Sequence, residues 1–371
     1  MAERDVQRIA AAIDKEGLPW TAGATELTAL PAAQRRDYLG LIVTPEENAR
    51  LSRETKLAAT QERRLGAAAF GAPAAVDWRN NGGNYVTSVK NQGSCGSCVS
   101  FCSCSTIESA VRIKLGNPSY AIDLSEGFLQ FCGGGSCNGW GLTSGLDFAK
   151  STGVTDEACM PYVPNNMTCA TSRCADWQNR LTKITSYTSH ATTDARKTAL
   201  ATIGPVLAGM EVWSDFFAYK SGVYVKSASA TRVGPNNTPG YHCISVVGYD
   251  DAQGCWILKN SWGTNWGEGG FARVAYGQAD LLIDTSWSFY SVVVAATGGA
   301  TWQSNVTVSQ VYATRDSQNA WAYLAGIGWR RIQPGSSDGV TNLLALLTEA
   351  VVKSLPVSVY FDATYVYQAY L

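Results

Sequence analysis

Four residues set far apart in the sequence could together carry out acyl chemistry at a thiol. They are Cys98, closing the run Gln92-Gly93-Ser94-Cys95-Gly96-Ser97-Cys98; His242; Asn260, opening Asn260-Ser261-Trp262-Gly263; and Gln92 itself. A thiol attacks a carbonyl only as the thiolate, and a free cysteine with a pKa of about 8.5 is mostly protonated at neutral pH. A helix opening at Cys98 would hold the sulfur against unpaired N–H groups and the positive end of the helix dipole. A histidine opposite could take the proton and later return it to a leaving amine. The chain has only two histidines. His190 lies in the polar stretch Tyr187-Thr188-Ser189-His190-Ala191-Thr192 and reads as a surface residue, which leaves His242. The amide oxygen of Asn260 could fix the imidazole's orientation and tautomer without adding charge, and Trp262 could shield that bond from water. A tetrahedral oxyanion would need donors, for which the Cys98 N–H and the Gln92 amide are the candidates.

The cysteines bound the environment. There are 11, and an odd total leaves one thiol unpaired. If Cys98 is that thiol, ten remain for up to five disulfides, a density that points to an oxidising compartment and a secreted chain. No Cys or Cys/His set has zinc spacing, so no metal and no cofactor are expected. Lys and Arg number 29 against 30 Asp and Glu, giving a net charge of -1 with no long basic block. Affinity for nucleic acid or an anionic membrane surface is therefore not expected, and a monomer is. No stretch approaches the ~20 apolar residues of a membrane-spanning helix. Met1 to Gly17 is charged and lacks the apolar centre of a signal peptide, so export would rest on a signal absent from this sequence or on another route.

Residue patterning divides the chain into three parts. Residues 1–72 hold a helical stretch from Val6 to Ile13 and a charged helix from Pro45 to Arg64, closing with the small, cleavable-looking run Leu65 to Pro73. Residues 73–297 begin helical, with a helix from Cys98 to Leu115 and a Gly/Cys-rich loop from Cys132 to Gly141. They turn to β in the apolar runs Val206–Val212, His242–Tyr249 and Trp256–Lys259, where the last two would form a hairpin returning Asn260 to His242. Residues 298–371 read as a small α+β module: a strand at Asn305–Tyr312, a helix near Thr341–Ser354 and a strand near Val357–Phe361.

Residues 76 to about 296 resemble the papain family of cysteine proteases. The resemblance rests on Asp77-Trp78-Arg79, the Gln92–Cys98 run, Leu124-Ser125-Glu126, Cys137-Asn138-Gly139, Gly204-Pro205-Val206, His242, and Lys259-Asn260-Ser261-Trp262-Gly263-Thr264-Asn265-Trp266-Gly267-Glu268-Gly269-Gly270. It implies a two-lobe α+β fold, one lobe helical and one barrel-like, with Cys98 and His242 facing across a cleft. It also implies hydrolysis of protein or peptide substrates through an acyl-enzyme, by a precursor whose residues 1–72 block the cleft. Substrate would run beside Gly96, Gly139, Trp140, Tyr241 and Trp262. The resemblance places a disulfide at Cys95–Cys137 and pairs Cys132 with Cys169 or Cys174; a Cys243–Cys255 bridge across the hairpin is the further expectation. Cys102, Cys104 and Cys159 have no assigned place.

Three positions depart from the family pattern. Val99 replaces an aromatic after the nucleophile, Trp140 replaces a second glycine and would narrow the pocket for the residue two positions before the cut, and Tyr241 is bulky. The floor of that pocket falls near Asp280 or Asp284, where a carboxylate would favour a basic side chain. The long helical signature of most papain-like prosegments is missing from residues 1–72. Other outcomes of the same residues are a transferase or ligase, in which an amine takes the acyl group, and a binding protein whose cleft no longer turns over.

Overall fold

The computed structural model describes residues 2–64, 72–278, 287–295, 301–313, 320–332, 337–361 and 365–371. The chain divides into two compact units, Met1–Val294 and Ala295–Leu371. Among the described residues no helix is long and apolar enough to cross a membrane.

The first unit opens with α1 (Ala2–Glu16), β1 (Trp20–Ala22), α2 (Glu26–Ala29), α3 (Ala32–Arg35) and α4 (Pro45–Arg64). After β2 (Ala75–Asp77) comes α5 (Cys98–Lys114), which is buried at every residue from Cys98 to Ser109. A helix covered on all sides belongs to the interior. Its small polar side chains let neighbours come close: a Cβ on Gly145 would stand 2.7 Å from Ser103 Oγ. Arg112 and Lys114 in the last turn complement the helix dipole. Two short helices, α6 (Ser144–Ser151) and α7 (Cys169–Ser172), complete the helical half.

The β half then begins with β3 (Ile184–His190), α8 (Thr193–Thr202), β4 (Val206–Val212) and β5 (Tyr219–Tyr224). It continues through β6 (Gly240–Asp250), β7 (Cys255–Lys259), β8 (Phe271–Ala275) and β9 (Phe289–Val294). The strands form one sheet in the order β1-β5-β8-β7-β6-β4-β9-β3, with β2 on β6. All these pairs are antiparallel except β5 with β8. β4 and β7 are buried at every position, as strands covered on both faces should be. Trp20, Phe216, Tyr219, Tyr224, Trp256, Trp262 and Trp266 fill one core, and Ile9, Ile13 and Leu27 of the N-terminal elements pack into it.

The second unit is a closed five-stranded barrel, β10 (Thr301–Ala313), β11 (Ala320–Leu324), β12 (Gly328–Ile332), β13 (Pro356–Phe361) and β14 (Tyr365–Tyr370), with α9 (Ser337–Lys353) packed on its core. β11, β12 and β14 add three strands to the expected strand-helix-strand pattern. They are five or six residues long and mix aromatic with polar residues, so they carry little periodicity to read.

Four disulfides form: Cys95–Cys137, Cys102–Cys243, Cys132–Cys169 and Cys159–Cys174. Cys98, Cys104 and Cys255 are free and buried. The expected Cys243–Cys255 bridge is therefore corrected. Cys255 stands opposite Asp250 near the turn of the β6–β7 hairpin, whereas Cys243 lies beyond the last pair, Ser245 with Lys259. The two cysteines are at opposite ends of the ladder, and Cys243 reaches α5 instead. Cys174, one of two partners considered for Cys132, joins Cys159, and parity gives three free thiols where one was expected. His190 is also half-buried rather than a surface group: its Nε2 bonds to Ser291 Oγ at 2.8 Å, and burial lowers its pKa to about 4.

β2 can lie on β6 only because position 248 has no side chain. A Cβ on Gly248 would stand 2.1 Å from the Val76 carbonyl oxygen. Gly248→Ala is expected to cost about 1–3 kcal/mol of stability, read as a lower urea midpoint; an unchanged midpoint would contradict this packing.

Candidate active site

Cys98 is the first residue of α5 and is fully buried, as is His242 on β6. His242 Nε2 bonds to Asn260 Oδ1 at 2.8 Å, and that oxygen also accepts the Ser261 N–H at 2.8 Å. The β6–β7 hairpin is what brings Asn260 back beside His242. With Nε2 committed, Nδ1 has no partner among the described residues. Cys243, next to His242, donates its backbone N–H to Cys98 Sγ at 3.4 Å. The Trp262 ring lies 4.8 Å from the imidazole, centroid to centroid, covering the His242–Asn260 bond.

Gln92 is oriented from both ends of its amide. Its Oε1 accepts from Ser261 Oγ at 2.6 Å, and its Nε2 donates to Cys95 O at 2.8 Å and to Tyr38 O at 3.2 Å. Tyr162 Oη donates to Gln92 O at 2.7 Å and bonds to Ser97 Oγ at 2.7 Å. Behind these residues lies a charge cluster, buried except for Asp123 at its edge. Lys90 Nζ contacts Glu126 at 2.8 Å, Asp123 at 2.5 Å and Glu108 at 3.9 Å. Glu108 also accepts the Leu124 N–H at 2.8 Å, and Lys259 donates to Thr87 Oγ1 at 3.1 Å. Burial pushes Glu126 up to about 8 against the pull of Lys90, and lowers Lys259 to about 8. Lys90 and Lys259 stand in sequence beside Gln92 and Asn260, so the cluster anchors both chain segments that supply the site. Ser261, Glu126 and Lys259 lie in the motifs that carry the resemblance but had no role read from them, and Tyr162 and Glu108 were not picked out, because an isolated polar residue has no period to reveal it.

Residues 38–42 run across the site. Tyr38 O accepts from Gln92 Nε2 and, at 3.3 Å, from Trp262 Nε1. The Gly40 N–H bonds to the Cys98 thiol, and a Cβ on Gly40 would fall 2.0 Å from Gly96 O, so only glycine passes here. Trp140 N donates to Gly40 O at 2.8 Å, Ile42 N donates to Trp140 O at 2.9 Å, and Leu41 N donates to Tyr241 O at 3.2 Å. Gly139, at φ 120°, also has no room for a side chain, since a Cβ would meet Gly40 O at 2.5 Å. The Trp140 ring packs against Gly133, where a Cβ would be 2.3 Å from its Cη2. Val99 is fully buried.

The Leu41 side chain is buried in an apolar cluster with Leu142, Trp287, Trp140 and Tyr241, and a Cβ on Gly209 would stand 2.9 Å from its Cδ2. Asp284 and Asp280, the expected acidic floor, lie outside the described residues. Further along, Glu62 of α4 accepts N–H bonds from Ala191 and Thr192, each at 2.9 Å, at the N-terminus of α8. A carboxylate is favoured there by the helix dipole.

Burial sets the charge state. It pushes the Cys98 thiol up to about 11, against N–H bonds from Cys243, Gly40, Val99 and Cys98 that favour the thiolate. It lowers His242 to about 4, against the bond to Asn260. Thiol and imidazole are both neutral in this arrangement.

Known proteins share the sequence pattern and the fold of this unit. Ananain from Ananas comosus is 37% identical over 209 residues, 55% of this chain and 56% of that protein, so the match spans little more than half of it. Cathepsin B-like CP2 from Giardia intestinalis is 34% identical over 228 residues, covering 57% of this chain and 72% of that one. The structure of digestive procathepsin L2 proteinase from Tenebrio molitor larval midgut aligns with a TM-score of 0.63 at 25% identity, covering 79% of this chain and 90% of that one. The fold is shared as well with proCathepsin B S9 from Trypanosoma congolense, at a TM-score of 0.61 and 21% identity over 79% and 98% of the two chains. The profile described as papain family cysteine protease matches residues 72–291, more than half of the 371 residues, and the chain belongs to that family.

Proposed function

We propose that the protein is the latent precursor of a secreted, monomeric cysteine endopeptidase, with residues 1–72 as inhibitory prosegment, 73–297 as catalytic domain and 298–371 as an extension. The observation that carries this reading is the pairing of His242 Nε2 with Asn260, which leaves Nδ1 without a partner beside a cysteine at a helix start. Once residues 38–42 leave, water and the helix terminus can support charge, and the proton passes from Cys98 to His242. The thiolate attacks a peptide carbonyl carbon, forming a C–S bond, and the oxyanion is held by Gln92 Nε2 and the Cys98 N–H. Collapse breaks the C–N bond as the imidazolium gives its proton to the amine. Water then loses a proton to His242 and attacks the thioester, the C–S bond breaks, and the thiolate returns. Substrate backbone takes over the bonds that Trp140 and Tyr241 now make to the prosegment.

The prosegment blocks without being cut because of what it offers the sulfur. Gly40 presents an N–H to Cys98, not a carbonyl carbon, and the Tyr38 oxygen already occupies the Gln92 donor. Four disulfides favour an oxidising destination.

Cys98→Ala in the activated protein is expected to lower peptide hydrolysis by at least ~10³-fold, and the separate 1–72 segment is expected to inhibit the parent enzyme. Hydrolysis that survives the substitution overturns the mechanism; failure to inhibit overturns the prosegment assignment. The pocket that holds Leu41 predicts preference for leucine-sized side chains. Gly209→Val is expected to cut kcat/KM for a leucine substrate by about 10–200-fold relative to an alanine one, and an unchanged ratio would place specificity elsewhere.

A further inference from the structure

We propose that the Cys102–Cys243 disulfide is a positioning strut for the reaction, holding the strand of His242 in register with the helix of Cys98. The proposal rests on the reading of those two residues as the catalytic pair. Cys98, Cys102 and Thr106 are four residues apart on α5 and so share one face, while Cys243 and Ser245 share one face of β6. These two faces meet in three places. At the cleft, the Cys243 N–H bonds to Cys98 Sγ at 3.4 Å. One turn deeper, Cys102 is bonded covalently to Cys243. One turn deeper again, Thr106 Oγ1 and Ser245 Oγ lie 3.3 Å apart. A single residue, Cys243, thus touches the reacting sulfur through its backbone and is covalently tied to that sulfur's helix through its side chain.

Beside the disulfide lies a cavity of about 20 Å³, lined by Phe101 as well as by Lys90, Ser105, Glu108 and Lys259. That is room for about one water, so at this level no side chain fills the space between helix and strand. Apolar packing joins them elsewhere, where Val99, Cys102 and Ile107 of α5 share a cluster with Leu207 and Cys243. Ser105 Oγ there has no partner among the described residues. Without the S–S bond, the polar ties between these two faces would be one long hydroxyl pair and the N–H to sulfur bond, with apolar packing free to shift them. The two cysteines are 141 residues apart in sequence, so the bond also joins elements that the chain itself connects only remotely.

The test uses the protein expressed as the full chain and then activated, and its Cys102→Ala/Cys243→Ala variant, which leaves no new thiol. Expected are a kcat lower by about 10–100-fold with little change in KM, and loss of the acid limb in the pH profile of Cys98 alkylation by iodoacetamide. A variant that melts earlier but keeps kcat and the alkylation profile would make the bond a stability staple only and overturn the proposal. An inactive parent would instead defeat the peptidase reading. If the variant does not fold, partly reduced parent enzyme serves: the turnover rate per molecule, relative to the intact enzyme, should follow the fraction of intact Cys102–Cys243 measured by peptide mass, and a rate well above that fraction overturns the strut.

Discussion

Charge cannot be kept on a sulfur and an imidazole from which water has been removed, and the arrangement around Cys98 turns on that constraint. A thiolate next to an imidazolium is a polar species that needs either solvent or many N–H groups. Here the N–H groups are supplied by Cys243, Val99, Cys98 and Gly40, yet burial outweighs them and the pair stays neutral. The same five residues, 38–42, that exclude solvent also use the groups that a substrate would need. Blocking and discharging the site are therefore one event.

What holds the uncharged pair ready is a set of bonds that do not involve charge at the pair itself. Asn260 and Gln92 are each fixed by Ser261, one through its backbone and one through its hydroxyl. Behind them, Lys90, Glu108, Glu126 and Lys259 form a buried ionic layer. Such clusters add little net stability, since desolvation offsets much of the attraction, but removing one member strands the others. Their value lies in fixing geometry, and they do so for the two segments that converge on His242.

Which residues would converge was legible in the sequence because they are rare types at fixed places. Cys98, His242, Asn260 and Gln92 are named by type, and the long strands and α4 by periodicity. Less readable was whatever depends on which face a strand turns. Cys243 and Cys255 looked like partners on a hairpin, but register puts them at opposite ends of the ladder. Gly40 and Gly209 were also hidden: a glycine in sequence does not say whether another chain passes it at van der Waals distance. The same holds for Glu62, whose meaning comes only from the helix start that it meets.

The sheet bearing His242 is completed at one edge by β1, a strand from the segment proposed to be removed. Three residues, Trp20 to Ala22, cover β5, and the Trp20 ring seals the end of the core between Tyr219 and Tyr224. Loss of that strand converts an interior ladder into a border, with the backbone of Tyr219–Tyr224 open to any extended chain of suitable length. Lys220, on this border, puts a charge where a neighbouring sheet would have to dock. Removal of that segment, as proposed, would thus exchange one kind of order for another: the cleft would gain access to extended peptides, and so would the far rim of the sheet.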